Sequence, residues 1–237
     1  HRDLSLSLAA HPIRIEAPIP GRSLVGIEIP NKTKTLVRLR DLLAGHDYKQ
    51  NGHNLNVVLG RDVAGNPTWA NLVKMPHLLI AGSTGSGKSV GINMIIASLL
   101  YAKDPSEVKF IMIDPKKIEL SFYNKLRKHY LAVSPDLEEE IITSPQNAVL
   151  LLKSVEFEME QRYDRLAKAG VRNIVDYNRK VADTKNKPKD TDEVKHHHLP
   201  YLIVVIDELA DLMITAGREV EEPITRLAQL ARAVGIH

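Results

Sequence analysis

The chain has 237 residues, with 32 lysines and arginines against 29 acids and no cysteine. Disulfides, thiolate metal sites and cysteine nucleophiles are thereby excluded, and a net charge of +3 is too small to mark a nucleic-acid binder by itself. An apolar fraction of 43% allows one large domain, or one domain with a partial neighbour, and the longest mostly apolar run, Ile92 to Leu100, is too short to span a bilayer.

Up to about residue 50 the chain reads as short strands broken by prolines. I-R-I-E-A-P-I-P-G and V-G-I-E-I-P-N alternate apolar and polar residues and stop at proline. T-L-V-R-L-R-D-L-L comes next as a short strand or helix, and the polar stretch H-D-Y-K-Q-N-G-H-N reads as a connection between two units. L-N-V-V-L-G-R-D and P-T-W-A-N-L then read as a hairpin around A-G-N-P. H-L-L-I-A-G is a candidate buried strand, followed by a helix from Lys88, and V-K-F-I-M-I-D-P is a second buried strand ended by Pro115. Residues 145–168 form a long helix with Gly170 as its stop. Residues 182–198 have almost no apolar content and read as a solvated loop. P-Y-L-I-V-V-I-D-E is a third buried strand, followed by L-A-D-L-M-I, a break at Gly217 and the helix E-P-I-T-R-L-A-Q-L-A-R-A. Apolar strands alternating with helices predict an α/β domain with a mostly parallel sheet.

Three motifs carry chemistry. Gly82 to Ser89 fits G-x-x-x-x-G-K-[ST] between a strand and a helix, the context that distinguishes a phosphate-binding P-loop from a flexible Gly/Ser turn. Its backbone N–H groups would wrap phosphate, with the helix dipole behind them. The expected nucleotide contacts are Gly82, Ser83, Thr84, Gly85, Ser86, Gly87, Lys88, Ser89 and Val90. Lys88 would reach the β- and γ-phosphates of ATP, and Ser89 would ligate Mg²⁺. Second, Y-L-I-V-V-I-D-E delivers two carboxylates at the C-terminal end of an apolar strand, where ligands bind in open α/β sheets. Asp207 suits Mg²⁺ and Glu208 suits a general base for the attacking water; read alone, the pair would be an acidic helix start. Third, F-I-M-I-D-P-K-K-I-E-L brings Asp114 to the same edge, while Lys116, Lys117 and Glu119 read as a turn with a solvated charge cluster. His196, His197 and His198 are adjacent, cannot easily converge on one ion, and read as linker. Arg162, Arg165 and Arg172 read as surface arginines paired with Glu158 and Glu160.

Together these residues resemble a known family. G-S-T-G-S-G-K-S-V, M-I-D-P-K-K-I-E-L, M-E-Q-R-Y-D-R-L-A-K-A-G-V-R-N-I, Y-L-I-V-V-I-D-E-L-A-D-L-M and R-L-A-Q-L-A-R-A-V-G-I-H look like the motor region of FtsK/SpoIIIE-type DNA translocases. I-R-I-E-A-P-I-P-G-R-S-L-V-G-I-E-I-P-N resembles the subdomain before it. The resemblance implies a RecA-like P-loop NTPase with a central, mostly parallel sheet, preceded by part of a small mixed α/β subdomain. The division would be 1–50 for the partial subdomain and 51–237 for the ATPase domain. It implies a hexameric ring around double-stranded DNA, driven by ATP hydrolysis in chromosome segregation at division or sporulation. Family members carry membrane helices and a winged-helix domain outside this region, so the chain is expected to be a cytoplasmic piece of a membrane-anchored bacterial protein. It begins with His1 and stops at V-G-I-H, where the family continues into a strand between the P-loop strand and the Asp207 strand. The ATPase domain is therefore expected to be C-terminally incomplete.

Two arginines complete the expected site. Arg218, beside the Gly217 break, would contact DNA phosphate if its loop faces the pore, and a solvated loop arginine is the plain alternative. Arg226 and Arg232 are six residues apart on one predicted helix, whose apolar side is marked by Ile224, Leu227, Leu230, Ala231 and Val234. Arg232 is favoured to act on a neighbouring subunit's nucleotide. The alternatives are a related ring ATPase moving protein or single-stranded DNA, as conjugative coupling proteins do, and a nucleotide-dependent binding module without turnover. Glu208 argues against the latter.

Overall fold

The computed structural model describes residues 13–19, 21, 23–33, 35–45, 54–135, 137, 139–192 and 194–237. The chain divides into two compact units between Arg38 and Leu39. In the first, Arg14–Glu16 (β1) pairs antiparallel with Gly26–Glu28 (β2), and Arg14 faces Glu28 across the ladder at 3.9 Å. Each strand is only three residues long, because Pro18 and Pro30 lie just beyond them.

The second unit opens with the helix Leu39–Leu43 (α1). This places the break before the polar stretch expected to connect the units; residues 46–53 of that stretch lie outside the described residues. The reason is burial. Leu42 and Leu43 form a small core with Val58, joined by Leu39, Trp69 and Met94, so the helix belongs to the second unit. Asn56–Arg61 (β3) and Pro67–Asn71 (β4) form the expected hairpin, with a bulge between Val58 and Gly60. Its turn is closed by Asp62, whose carboxylate accepts from the Asn66 backbone N–H and amide group.

The centre is a parallel pair, Val108–Ile113 (β5) and Tyr201–Ile206 (β6), in register from Val108 opposite Tyr201 to Ile113 opposite Ile206. Apart from Lys109, both strands are apolar throughout, as parallel strands covered on two faces must be. Single parallel bridges extend the sheet from Phe110 to Leu131, from Ile113 to Ile142 and, on the far side of β6, from Leu202 to Ile236. The helix Lys88–Ala102 (α2) buries Ile92, Ile96 and Leu99 in this core. Pro145–Lys168 (α3) has the predicted bounds. Ser144 Oγ accepts from the Asn147 backbone N–H, Pro145 takes the first turn, and Gly170 leaves the helix at φ 66°. Ile174–Ala182 (α4) comes next.

Four expectations are corrected. H-L-L-I-A-G is in no ladder, and Leu79 is 79% exposed. On that side of β6 only Gly235–His237 runs alongside, with the His237 ring bonded to the Pro76 carbonyl, so 77–81 has no described backbone to pair with. Arg162 is not a surface arginine. It is 1% exposed, with its guanidinium on Glu158 and on the carbonyls of Pro200 and Val234. It thereby ties α3 to the entrance of β6 and to the last turn before Gly235. The loop at 182–198 is solvated for most of its length, but His196 is buried against Tyr177, whose hydroxyl meets its ring nitrogen at 3.0 Å. Leu230 is exposed although the helical pattern put it inside. Leu209–Ala216 (α5) and Arg218–Leu230 (α6) break at Gly217, and a 3₁₀ turn, Ala231–Val234, succeeds α6. The buried seam runs Val220, Pro223, Leu227, Ala231, Val234 and leaves Leu230 beside it.

Candidate nucleotide site

The parallel register brings the ends of β5 and β6 to one edge, so Asp114 and Asp207 emerge side by side. The P-loop runs exposed over residues 81–87 and leads directly into α2. Gly85 and Gly87 sit at φ 80° and 97°, a region that side-chain-bearing residues rarely enter. A Cβ on Gly82 would meet the Ser86 side chain, so any larger residue there would have to displace the Ser86 hydroxyl. Gly87 is the N-cap of α2 and offers no side chain to the helix start, and no acid stands in the first turn. The leading N–H groups are thus left for an external acceptor, with the positive end of the helix dipole behind them.

Lys88 crosses from α2 to the strand edge. Its Nζ donates to the Asp207 carbonyl at 2.9 Å and to Glu208 Oε2 at 3.1 Å, and lies 3.7 Å from Asp207 Oδ1. Burial pulls the Lys88 pKa down, but hydrogen bonding to Glu208 and the charges of Asp207 and Glu208 together outweigh it and raise it. Glu208 occupies the N-cap position of α5 with no cap hydrogen bond; its carboxylate turns to Lys88 instead. The Lys88 hydrogen bond, with the charges of Lys88 and Lys116, holds the Glu208 pKa below the usual range. Asp207 goes the other way. Its side chain is 3% exposed, and desolvation, with the charges of Asp114, Glu119 and Glu208, raises its pKa against the pull of Lys88. Asp207 Oδ1 and Asp114 Oδ1 are both buried without a hydrogen-bond partner.

The P-loop, Asp207 and Glu208 therefore converge, and Ser89 lies in the first turn of α2. Val90 is exposed, as is Arg218 at the start of α6, with Glu219, Glu221 and Glu222 after it. Arg226 is committed to α3, where it pairs with Glu156 and Glu160, whereas Arg232 is exposed on the 3₁₀ turn and lines a cleft with Asn173, Asp176 and Gln229. Lys116 and Asp211 are additions. Lys116 reads from sequence as part of a solvated cluster, but its Nζ stands 3.7 Å from Glu208 Oε2 and 3.4 Å from Asp211 Oδ2. The spacing of Asp211, three residues after Glu208 at a helix start, was the available signal.

The family described as FtsK/SpoIIIE matches residues 38–237, and the FtsK alpha domain matches residues 1–31. The chain is 52% identical over 238 residues to the curated DNA translocase FtsK of Chlorobaculum tepidum, and 50% identical over 235 residues to that of Halalkalibacterium halodurans. In both cases 99% of the chain is covered, but it spans only 28% of the relative. Among solved structures, the pCW3 conjugation coupling protein TcpA with ATPγS matches all of the chain and 60% of its own, at 27% identity and a TM-score of 0.64. The type VII secretion ATPase EccC of Thermomonospora curvata matches 85% of the chain and 22% of its own, at 22% identity and a TM-score of 0.62. The α/β P-loop fold with a parallel sheet is shared with these motor domains, and on the match of 38–237 the chain belongs to the FtsK/SpoIIIE family.

Proposed function

We propose that this chain is the ATP-hydrolysing motor part of a double-stranded DNA translocase acting in chromosome segregation at division or sporulation. The observation that carries the chemistry is the convergence of Lys88 on both carboxylate residues at the end of β6. Identity near 50% along almost the whole chain supports DNA as the substrate, against 27% to the coupling protein. As part of a ring, hexameric by the family resemblance, it would work in the cytoplasm; among the described residues no helix is long and apolar enough to cross a membrane.

The residues present fit Mg²⁺–ATP. A tight glycine loop and an uncapped helix start suit phosphate, and the Oδ1 atoms of Asp207 and Asp114, buried and without a hydrogen-bond donor, are hard oxygens of the kind that suit Mg²⁺. Ser89 and Asp207 would hold the ion, Asp207 through water. Mg²⁺, when bound, offsets the phosphate charge that develops during transfer. Lys88 would leave its carboxylate partners for the β- and γ-phosphates. Glu208 would orient the attacking water and accept its proton. Arg232 would reach a neighbouring subunit's γ-phosphate from the exposed 3₁₀ turn, and Arg218 would meet the DNA backbone without reading bases.

The reading is tested by ATP turnover in the intact protein. Duplex DNA should stimulate it several-fold, and single-stranded DNA of equal length should not. Arg218→Ala should lower that stimulation and flatten its salt dependence. Absence of any duplex effect would overturn the translocase reading. Stimulation by single strands alone would move the chain to the coupling class. The arginine in trans has its own test. Arg232→Ala subunits should be inactive alone, yet regain part of the activity when mixed with Lys88→Ala subunits, since each supplies what the other lacks. No recovery in mixed rings that demonstrably form excludes it.

A further inference from the structure

The turn D-P-K-K-I-E-L, Asp114 to Leu120, is held more firmly than a solvated charge cluster requires. Asp114 is wholly buried at the end of β5, and its Oδ2 accepts from the Leu120 amide at 2.9 Å across the turn. The Lys117 amide donates to the Asp114 carbonyl, and Ser121 Oγ to the Lys117 carbonyl. Lys117 stands at φ 60°, the sole non-glycine at positive φ among the described residues. Such a backbone persists only where its surroundings impose it, and these positions cluster at functional sites. The 3₁₀ turn after it is tied to the P-loop helix by Tyr123, whose hydroxyl donates to Asn93 at 2.7 Å. A rigid platform thus carries Lys116 to the nucleotide site, where its ammonium lies beside the Glu208 oxygen that Lys88 also holds.

Lys88 cannot keep all these partners once phosphate arrives. Two of its three N–H groups are now spent on the Asp207 carbonyl and Glu208, and phosphate oxygens compete for them. Glu208 then loses its nearest cation when its direction begins to matter. We propose that Lys116 is the positioning residue for Glu208: it holds that carboxylate toward the attacking water while Lys88 is engaged by the phosphates. Asp211, 3.4 Å away, keeps Lys116 over the site from its other side. At 49% exposure of its side chain, Lys116 contributes little to folding, so removing it should leave the fold intact. Its effect falls on orientation, where a misplaced base costs between about fivefold and about 10²-fold in rate.

This rests on Glu208 as general base. The experiment compares Lys116→Met, Lys116→Arg, Glu208→Gln and the Lys116→Met/Glu208→Gln double variant in the intact protein. It measures kcat, KM for ATP, and the binding of Mg–ATPγS and of ADP. Lys116→Met should lower kcat by about 5- to 10²-fold, with KM and both affinities changed by less than about twofold. Lys116→Arg should recover most of the rate, because the charge returns. The double variant should be no slower than Glu208→Gln, because Lys116 acts through Glu208. Unchanged kcat in Lys116→Met, or a multiplicative loss in the double variant, overturns the proposal. So does weaker ATPγS binding with ADP binding intact, which would make Lys116 a γ-phosphate contact. If Glu208→Gln retains wild-type turnover, the base assignment itself fails. If Glu208→Gln is inactive and Lys116→Met is not slowed, only the role of Lys116 fails.

Discussion

Lys88→Ala should reduce ATP hydrolysis by roughly 10³-fold, the scale on which a preorganised charge at a transferring phosphoryl group acts. It should also disturb the nucleotide-free protein. The Lys88 ammonium is the nearest cation to Glu208 and touches the Asp207 carbonyl, and the Asp207 side chain is nearly buried. Removing it strips the Asp207 carbonyl of its donor, costing about 1–3 kcal/mol as an unmet buried polar group, and takes from the carboxylate, beside Asp114 and Glu208, its counter-charge at 3.7 Å. The melting temperature should therefore fall in the absence of nucleotide, and ATP should restore less of it than in the wild type. An active Lys88→Ala protein would remove the P-loop from the chemistry. A variant that has lost turnover with an unchanged melting temperature would show that the lysine is not needed to balance the carboxylates.

The parts legible in the sequence are those governed by local physics. Gly82 to Ser89 announces its backbone through glycines that tolerate positive φ, and α3 announces its ends through Ser144, Pro145 and Gly170. The pairing of β5 with β6 arises from two apolar runs, each ending in aspartate. What escaped depends on neighbours distant in sequence. H-L-L-I-A-G has strand composition, but a strand needs a partner, and none of the described residues pairs with it. Arg162 looks like any helix arginine until Pro200 and Val234 close over it. Lys116 looks solvated because its partners, Glu208 and Asp211, are about ninety residues away along the chain. The His196 ring is buried by Tyr177 on α4, a contact that a run of three histidines does not foretell. Charge pairing and burial across elements are set by topology, so the P-loop with Lys88 and the two acids at the end of β6 are readable, while the pairing of Lys88 with those acids and the place of Lys116 beside Glu208 are not.

Glu208→Gln should separate binding from turnover. The amide keeps the shape of the side chain and still accepts a hydrogen bond from Lys88, but it cannot take a proton from water. Loss of a general base costs about 10²–10⁴ in kcat, equivalent to about 2.7–5.5 kcal/mol of barrier. The effect on affinity has the opposite sign and a smaller scale. In the nucleotide-free protein Lys88 is held by Glu208, a partly exposed pair with side-chain exposures of 21% and 29%. Such a pair is worth at most about 1 kcal/mol, so releasing Lys88 for phosphate should tighten ATP binding by no more than about fivefold. The two readouts are thus far enough apart to be read independently. Single-turnover hydrolysis and equilibrium binding of Mg–ATP should be measured on the same preparation. Slow turnover with unchanged or slightly tighter binding is the expected result. Wild-type turnover would reject Glu208 as the base. A loss of binding as large as the loss of rate would mean that Glu208 shapes the site for nucleotide and leaves the water to another group.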